Sequence, residues 1–123
     1  MFETKHGLDM RRSSLAILPG TVEFLALGAL AQGGRMHGFQ VLGWIGDATS
    51  GELLPEEGAL YPALHRMEKR RWLRATWGVS DKGRRAKYYE ITKRGRAALS
   101  KATREWARYV DAVGKVVIAG EGA

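Results

Sequence analysis

The chain has no cysteine among its 123 residues, which rules out a disulfide framework, a thiol nucleophile and a thiolate metal site. It also lacks any apolar run near the ~20 residues that a membrane-spanning helix needs. Residues 1–14 contain no apolar stretch of the kind that marks a secretory leader, so the expected compartment is the cytoplasm. Catalytic signatures are missing as well. There is no phosphate-binding Gly-rich loop, no G-x-S-x-G, and no pair of carboxylates in a Gly-rich loop. Glu56 and Glu57 are adjacent, and a helix splays neighbours onto different sides. The three histidines do not have metal-ligand spacing, and no acidic cluster joins them. No enzyme, metal or cofactor is expected.

What is present is a core and a concentration of charge. A hydrophobic fraction of 45% with four tryptophans is enough for one small folded domain. The net charge is +7, and it is unevenly placed. Between Arg66 and Arg96 twelve basic residues face only Glu68, Asp81 and Glu90, an excess of nine, so the remainder of the chain is slightly acidic. A segregated basic patch of this size is the electrostatic footprint of a phosphate-rich partner.

Periodicity gives the order of elements. Residues 1–14 read as a flexible N-terminal arm. "LPGT" breaks the chain, with Thr21 as the expected N-cap of a first helix that is apolar nearly all round and therefore central. A second helix is predicted from about His37 to Ala48, with Phe39, Leu42 and Ile45 facing inward. In "EEGALYPALHRMEKRRWL" Leu60, Ala63, Leu64 and Met67 form the inner stripe of a third helix; Tyr61, His65 and Lys69 are turned away from it, with Arg66 on its flank. The period then becomes two. "LRATW" and "KYYEI" are predicted strands around a turn, and Lys82, Arg84, Arg85 and Lys87 lie on that turn and the second strand. Thr92 is the expected cap of a last helix that reaches about Val117. Along it Leu99, Ala102, Trp106, Tyr109, Val113 and Val116 form a heptad-like seam that a second copy of the chain would cover. Residues 119–123 should fray.

Three helices, a basic hairpin and a long helix make a mainly α fold with a small β-hairpin. The expected architecture is a winged helix-turn-helix domain over residues 15–92 followed by a C-terminal dimerisation helix over 93–118. In that arrangement the third helix enters the major groove of DNA, and the hairpin lies on the backbone or in the minor groove.

The motifs "MHGFQVLGWI", "GELLPEEGALYPALHRMEKRRWLRATWG" and "RRAKYYEITKRGRAAL", in that order, closely resemble the PadR family of bacterial transcriptional regulators, over roughly Leu18 to Leu99. The single C-terminal helix is similar to the family's short type. The resemblance implies a homodimeric DNA-binding protein, usually a repressor, acting on a pseudo-palindromic operator and released by a small aromatic or drug-like effector. Family DNA contacts carry over to His37 and Gly38, to Gly58, Tyr61 and Pro62, and to Arg84, Arg85 and Lys87. Phe39 stands where the family often has Tyr, and Ala59 where Ser or Thr is frequent; each loses a hydroxyl suited to a phosphate. The effector site of some members implies a place at Trp106 and the neighbouring Tyr109. Two rivals remain on sequence grounds: a non-specific architectural or RNA-binding module, and a module whose wing docks an acidic partner protein.

Overall fold

A computed structural model describes residues 14–118, so the expected arm and the expected frayed tail at 119–123 lie outside the described residues, apart from Ser14. The elements run in the order α1 (Thr21–Gly33), β1 (Met36–His37), α2 (Gly38–Ala48), α3 (Glu57–Lys69), β2 (Leu73–Val79), β3 (Arg85–Ile91) and α4 (Lys93–Val117). This is the winged helix arrangement expected from the order of periods.

Helix α1 sits at the centre and touches α2, α3, α4 and β3. Its Ala26, Leu27, Ala29 and Leu30 are buried, as a helix apolar on most sides requires. Its N-terminus differs from expectation. The cap is Gly20, in a left-handed conformation at φ 83°, and Thr21 is already helical. The Thr21 hydroxyl instead donates to the Leu18 carbonyl at 2.7 Å, closing the preceding turn.

Helix α2 starts in a capping box. His37 Nδ1 accepts from the Gln40 amide at 3.3 Å, and the Gln40 side chain accepts from the His37 amide at 3.0 Å. The inward face is Gly38, Val41 and Ile45, not a stripe through Phe39, which is 65% exposed. The physical reason is Gly38. Its missing side chain lets the Tyr61 ring lie directly against the backbone, where any Cβ would overlap that ring. The buried row therefore runs 38, 41, 45, one step away from Phe39.

Helix α3 buries Leu60, Ala63, Leu64 and Met67 completely. Pro62 is not in the first turn, where a missing N–H costs least, but the sixth residue of the helix, so the Gly58 carbonyl lacks the amide it would otherwise accept from. That side of the helix is open to solvent. The helix ends with Arg71 at φ 65°; the Arg71 amide bonds the Glu68 carbonyl and the Trp72 amide bonds the Met67 carbonyl, both at 3.0 Å.

Strand β3 is the middle of a three-stranded antiparallel sheet, with β2 on one side and the two-residue β1 on the other. Leu73 pairs with Ile91 near the core and Val79 with Arg85 at the far end. Arg85 is thus a strand residue, whereas the sequence put it in the turn. Ser80–Arg84 close the turn, with Gly83 at φ 74°. Thr92 caps α4 as expected, accepting from the Gly95 amide at 3.0 Å and donating to the carbonyls of Arg71 and Trp72. Gly95 itself rests on the Trp72 carbonyl, where a side chain has no room.

Candidate nucleic-acid interface

The start of α2, the wing-side flank of α3 and the free end of the β2–β3 hairpin enclose an open cleft of about 740 Å³. His37, Gly38, Phe39 and Gln40 line it from α2, Tyr61 from α3, and Lys82, Arg84, Arg85 and Lys87 from the wing. Eight of the residues singled out in the sequence therefore meet around one opening. Four cations stand on one wall and aromatic rings on the other.

The remaining α3 candidates face elsewhere. Gly58, Ala59, Pro62 and Arg66 border a second hollow of about 330 Å³ that includes Gly20, Val22 and Glu23. His65 and Lys69 are exposed on the helix's outer side, between the two hollows in helical rotation. Opposite the buried stripe, α3 presents Gly58, Tyr61, Pro62, His65, Arg66 and Lys69 to solvent as one face.

Local environment sets what each group offers. Tyr61 is 41% exposed. Its phenol is raised above the ordinary value, mainly by burial against its neighbours and then by the Glu57 carboxylate, so at neutral pH it keeps its proton and can donate. His37 uses Nδ1 to hold its own helix and sets its ring edge-on to Tyr88, 5.4 Å between centroids. Lys87 bonds the Glu68 carboxylate at 2.8 Å, and this bond holds its ammonium above the usual lysine value.

The charge excess counted in the sequence is partly answered within the fold. Glu23, on α1, bonds both Arg66 at 2.8 Å and Arg70 at 3.0 Å. Arg74 lies 3.8 Å from Glu90, and Lys87 is held by Glu68. Lys69, Lys82, Arg84 and Arg85 make no ion pair among the described residues. Uncompensated cations thus stand at the wing tip and on the outer side of α3, and Arg71, Lys93, Arg94 and Arg96, at the α3–β2 junction and the start of α4, make no ion pair among the described residues either.

Two residues near the cleft carry no signal in the sequence beyond packing. Trp77 is 57% exposed and carries the Arg85 guanidinium over its ring at 4.2 Å. Arg35 stacks on Tyr88 at 4.2 Å and donates to the Thr76 hydroxyl at 3.0 Å, bracing the opposite face of the sheet. Both depend on strand register, which the sequence signals only through the alternation of "LRATW" and "KYYEI".

The α4 seam divides in two. Leu99 and Ala102 are half-buried, and Leu99 packs against the domain's own core. Trp106 reaches Phe24 of α1, with 6.2 Å between ring centroids, and stacks with Tyr109 at 6.3 Å. Beyond that point Tyr109, Val110, Val113, Val116, Val117 and Ile118 are exposed. A smaller hollow of about 270 Å³ lies beside the first half of the seam, lined by Phe24, Trp44, Leu99 and Thr103 among others. No helix of the described residues is long and apolar enough to cross a membrane. Nor do those residues contain a group of three or more His, Asp or Glu placed to hold a metal ion.

The sequence profile of the Transcriptional regulator PadR-like family matches residues 26–101. An uncharacterized protein of Lysinibacillus sphaericus is 35% identical over 92 residues, which cover 74% of this chain and 83% of that protein. Among solved structures, a transcriptional regulator from Clostridium thermocellum superposes with a TM-score of 0.72 at 28% identity, covering 80% of this chain and 94% of its own. A PadR family transcriptional regulator from Eggerthella lenta does so with a TM-score of 0.69 at 26% identity, covering 90% and 88%.

Proposed function

The chain belongs to the PadR-like family of transcriptional regulators, and from that premise we propose that it works as a homodimeric repressor that reads a pseudo-palindromic operator. The observation that supports this most is the cleft at which the start of α2, Tyr61 of α3 and the uncompensated wing cations Lys82, Arg84 and Arg85 meet. Lys82, Arg84 and Arg85 contact the phosphate backbone or the minor groove, and the α3 residues His65, Lys69 and Tyr61 face the major groove. Arg66 and Lys87, held by carboxylates in the free protein, are second-line contacts. An exposed ion pair such as Arg66–Glu23 is worth only ~0–1 kcal/mol, so a phosphate can displace the partner. His37, Gly38 and Phe39 form the α2 edge of the contact, with Gly58, Ala59 and Pro62 supporting the α3 backbone on the other side.

The exposed part of the α4 seam pairs with that of a second copy. Dimerisation spaces two reading faces for half-sites about one helical turn, ~34 Å, apart. A small aromatic or hydrophobic effector lodges against Trp106 and Tyr109 and favours a dimer geometry that no longer fits the operator. The protein acts in the cytoplasm, on nucleoid DNA.

Replacing Arg84 and Arg85 together with Ala tests the assignment. Binding to any duplex should weaken, and the slope of log K against log salt should become shallower by about 0.9 for each phosphate that is no longer neutralised. The dimer should persist. Unchanged affinity would place the DNA elsewhere on the molecule.

A further inference from the structure

We propose that Trp77 is a positioning residue for DNA recognition: it holds the Arg85 guanidinium pre-oriented at the wing so that Arg85 enters a narrow, A·T-rich minor groove beside the operator half-site. The inference rests on the DNA-binding reading above and adds to it a residue and a preference for flanking sequence.

Burial along one face of the hairpin singles Trp77 out. Leu73, Ala75, Trp77 and Val79 alternate onto the same side of β2, and exposure rises along them from 2% at Leu73 to 57% at Trp77 and 72% at Val79. The core accounts for the first of these side chains and not for the last two. A large aromatic left open to water at the end of a projecting hairpin is unexplained by packing. What its ring does carry is Arg85, diagonally across the ladder, with the guanidinium carbon 4.2 Å from the ring centroid.

The kind of interaction matters more than its strength. Arg66, Arg70 and Lys87 are fixed in direction by carboxylates that each take up one of their N–H donors, and Arg74 lies 3.8 Å from Glu90. Arg85 has no such partner among the described residues. A stack on Trp77 covers the flat face of the guanidinium and leaves its in-plane donors free. Arg85 is therefore both restrained and unneutralised. Lys82 and Arg84, on the turn, are unneutralised too, but no ring among the described residues lies beneath them. Restraint before binding removes part of the ordering cost of a long, rotamer-rich side chain. A restrained, uncompensated arginine is suited to a minor groove narrowed by A-tracts, where the negative potential is deepest.

The test uses the full chain and a duplex that the protein itself selects from a random-sequence pool, with its flanks then rebuilt as A-tracts or as alternating G·C steps. Trp77→Ala should weaken binding about two- to fivefold on the A-tract duplex, the range expected for removing an exposed cation–π pair. On the G·C-flanked duplex the change should be negligible. Trp77→Phe should recover most of the affinity. In an Arg85→Ala background, Trp77→Ala should have no further effect. Equal weakening by Trp77→Ala with and without Arg85, or on both flanks alike, would overturn the inference and leave a role in hairpin packing. Arg84→Ala separates the two levels: if it weakens binding while Trp77 and Arg85 show no coupling, only this inference fails. If neither arginine matters, the wing assignment fails with it.

Discussion

At the scale of single residues, the cleft is shaped by what is missing as much as by what is there. Gly38 admits the Tyr61 ring onto the start of α2, and that contact is what turns Phe39 out to solvent. A stripe of side chains is visible in a sequence; a buried glycine that takes one place in the stripe is not. This is why Leu60, Ala63, Leu64 and Met67 can be read correctly from spacing, while Phe39 falls on the wrong side. The ion pairs of Glu23 with Arg66 and Arg70 join positions more than forty residues apart, and no local pattern announces them.

Two groups that line the cleft, Tyr89 and Lys87, make a prediction about pH. Burial raises the Tyr89 phenol above its ordinary value of 10.0, with the nearby Lys87 charge opposing and Glu68 adding to the rise. The fold therefore favours the neutral phenol. Its contribution is fully present below pH 10 and is lost as pH climbs through the raised folded value. Lys87, raised from 10.5 by its bond to Glu68, loses its contribution in the same direction. Chemical denaturation in steps above pH 10 should show falling stability, and Tyr89→Phe should flatten part of that fall. Superimposable alkaline profiles for the two proteins would contradict this origin.

At the scale of elements, legibility followed length. The four helices are long enough for a period to declare itself, and both wing strands alternate. Strand β1 has two residues, too few for any period, and became visible only through its pairing of Met36 with Tyr89 and His37 with Tyr88. The α3–β2 junction carries a stability prediction. Arg71 occupies the left-handed position that usually falls to glycine in this kind of helix ending, at a cost of ~1–2 kcal/mol for a residue with a Cβ. Offset by glycine's greater freedom in the unfolded chain, Arg71→Gly should stabilise the domain by about 0.5–1 kcal/mol. Urea titration measures it; a fall in stability would mean that the Arg71 side chain makes a contribution larger than its backbone strain.

The α4 seam carries the other prediction at this scale. Its first half folds onto α1 and its second half lies open, so the step between them at Trp106 is where a second copy would begin to cover apolar surface. Trp106→Glu places a charge there. Light scattering at micromolar concentration should report a monomer with the helix content of the wild type, because Trp106 is already 39% exposed within one subunit. A variant that stays dimeric would remove the seam from the interface.

For the whole molecule, the gross asymmetry of charge was legible and its availability was not. Composition shows a basic third; the fold shows that four of those cations already have carboxylates, and that among the others Lys82, Arg84 and Arg85 stand at the wing's free end and Lys69 on α3. Long-range attraction to DNA depends on the sum, whereas the contact depends on which cations are free and where they point. The central claim is that the start of α2, the outer face of α3 and the wing form one DNA-facing surface. Amide hydrogen exchange of the full chain, with and without a duplex it has selected, tests this most directly. Exchange should slow together across His37–Gln40, the first two turns of α3 and Ser80–Lys87. Slowing confined to α4, with the wing and α3 unchanged, would contradict the claim.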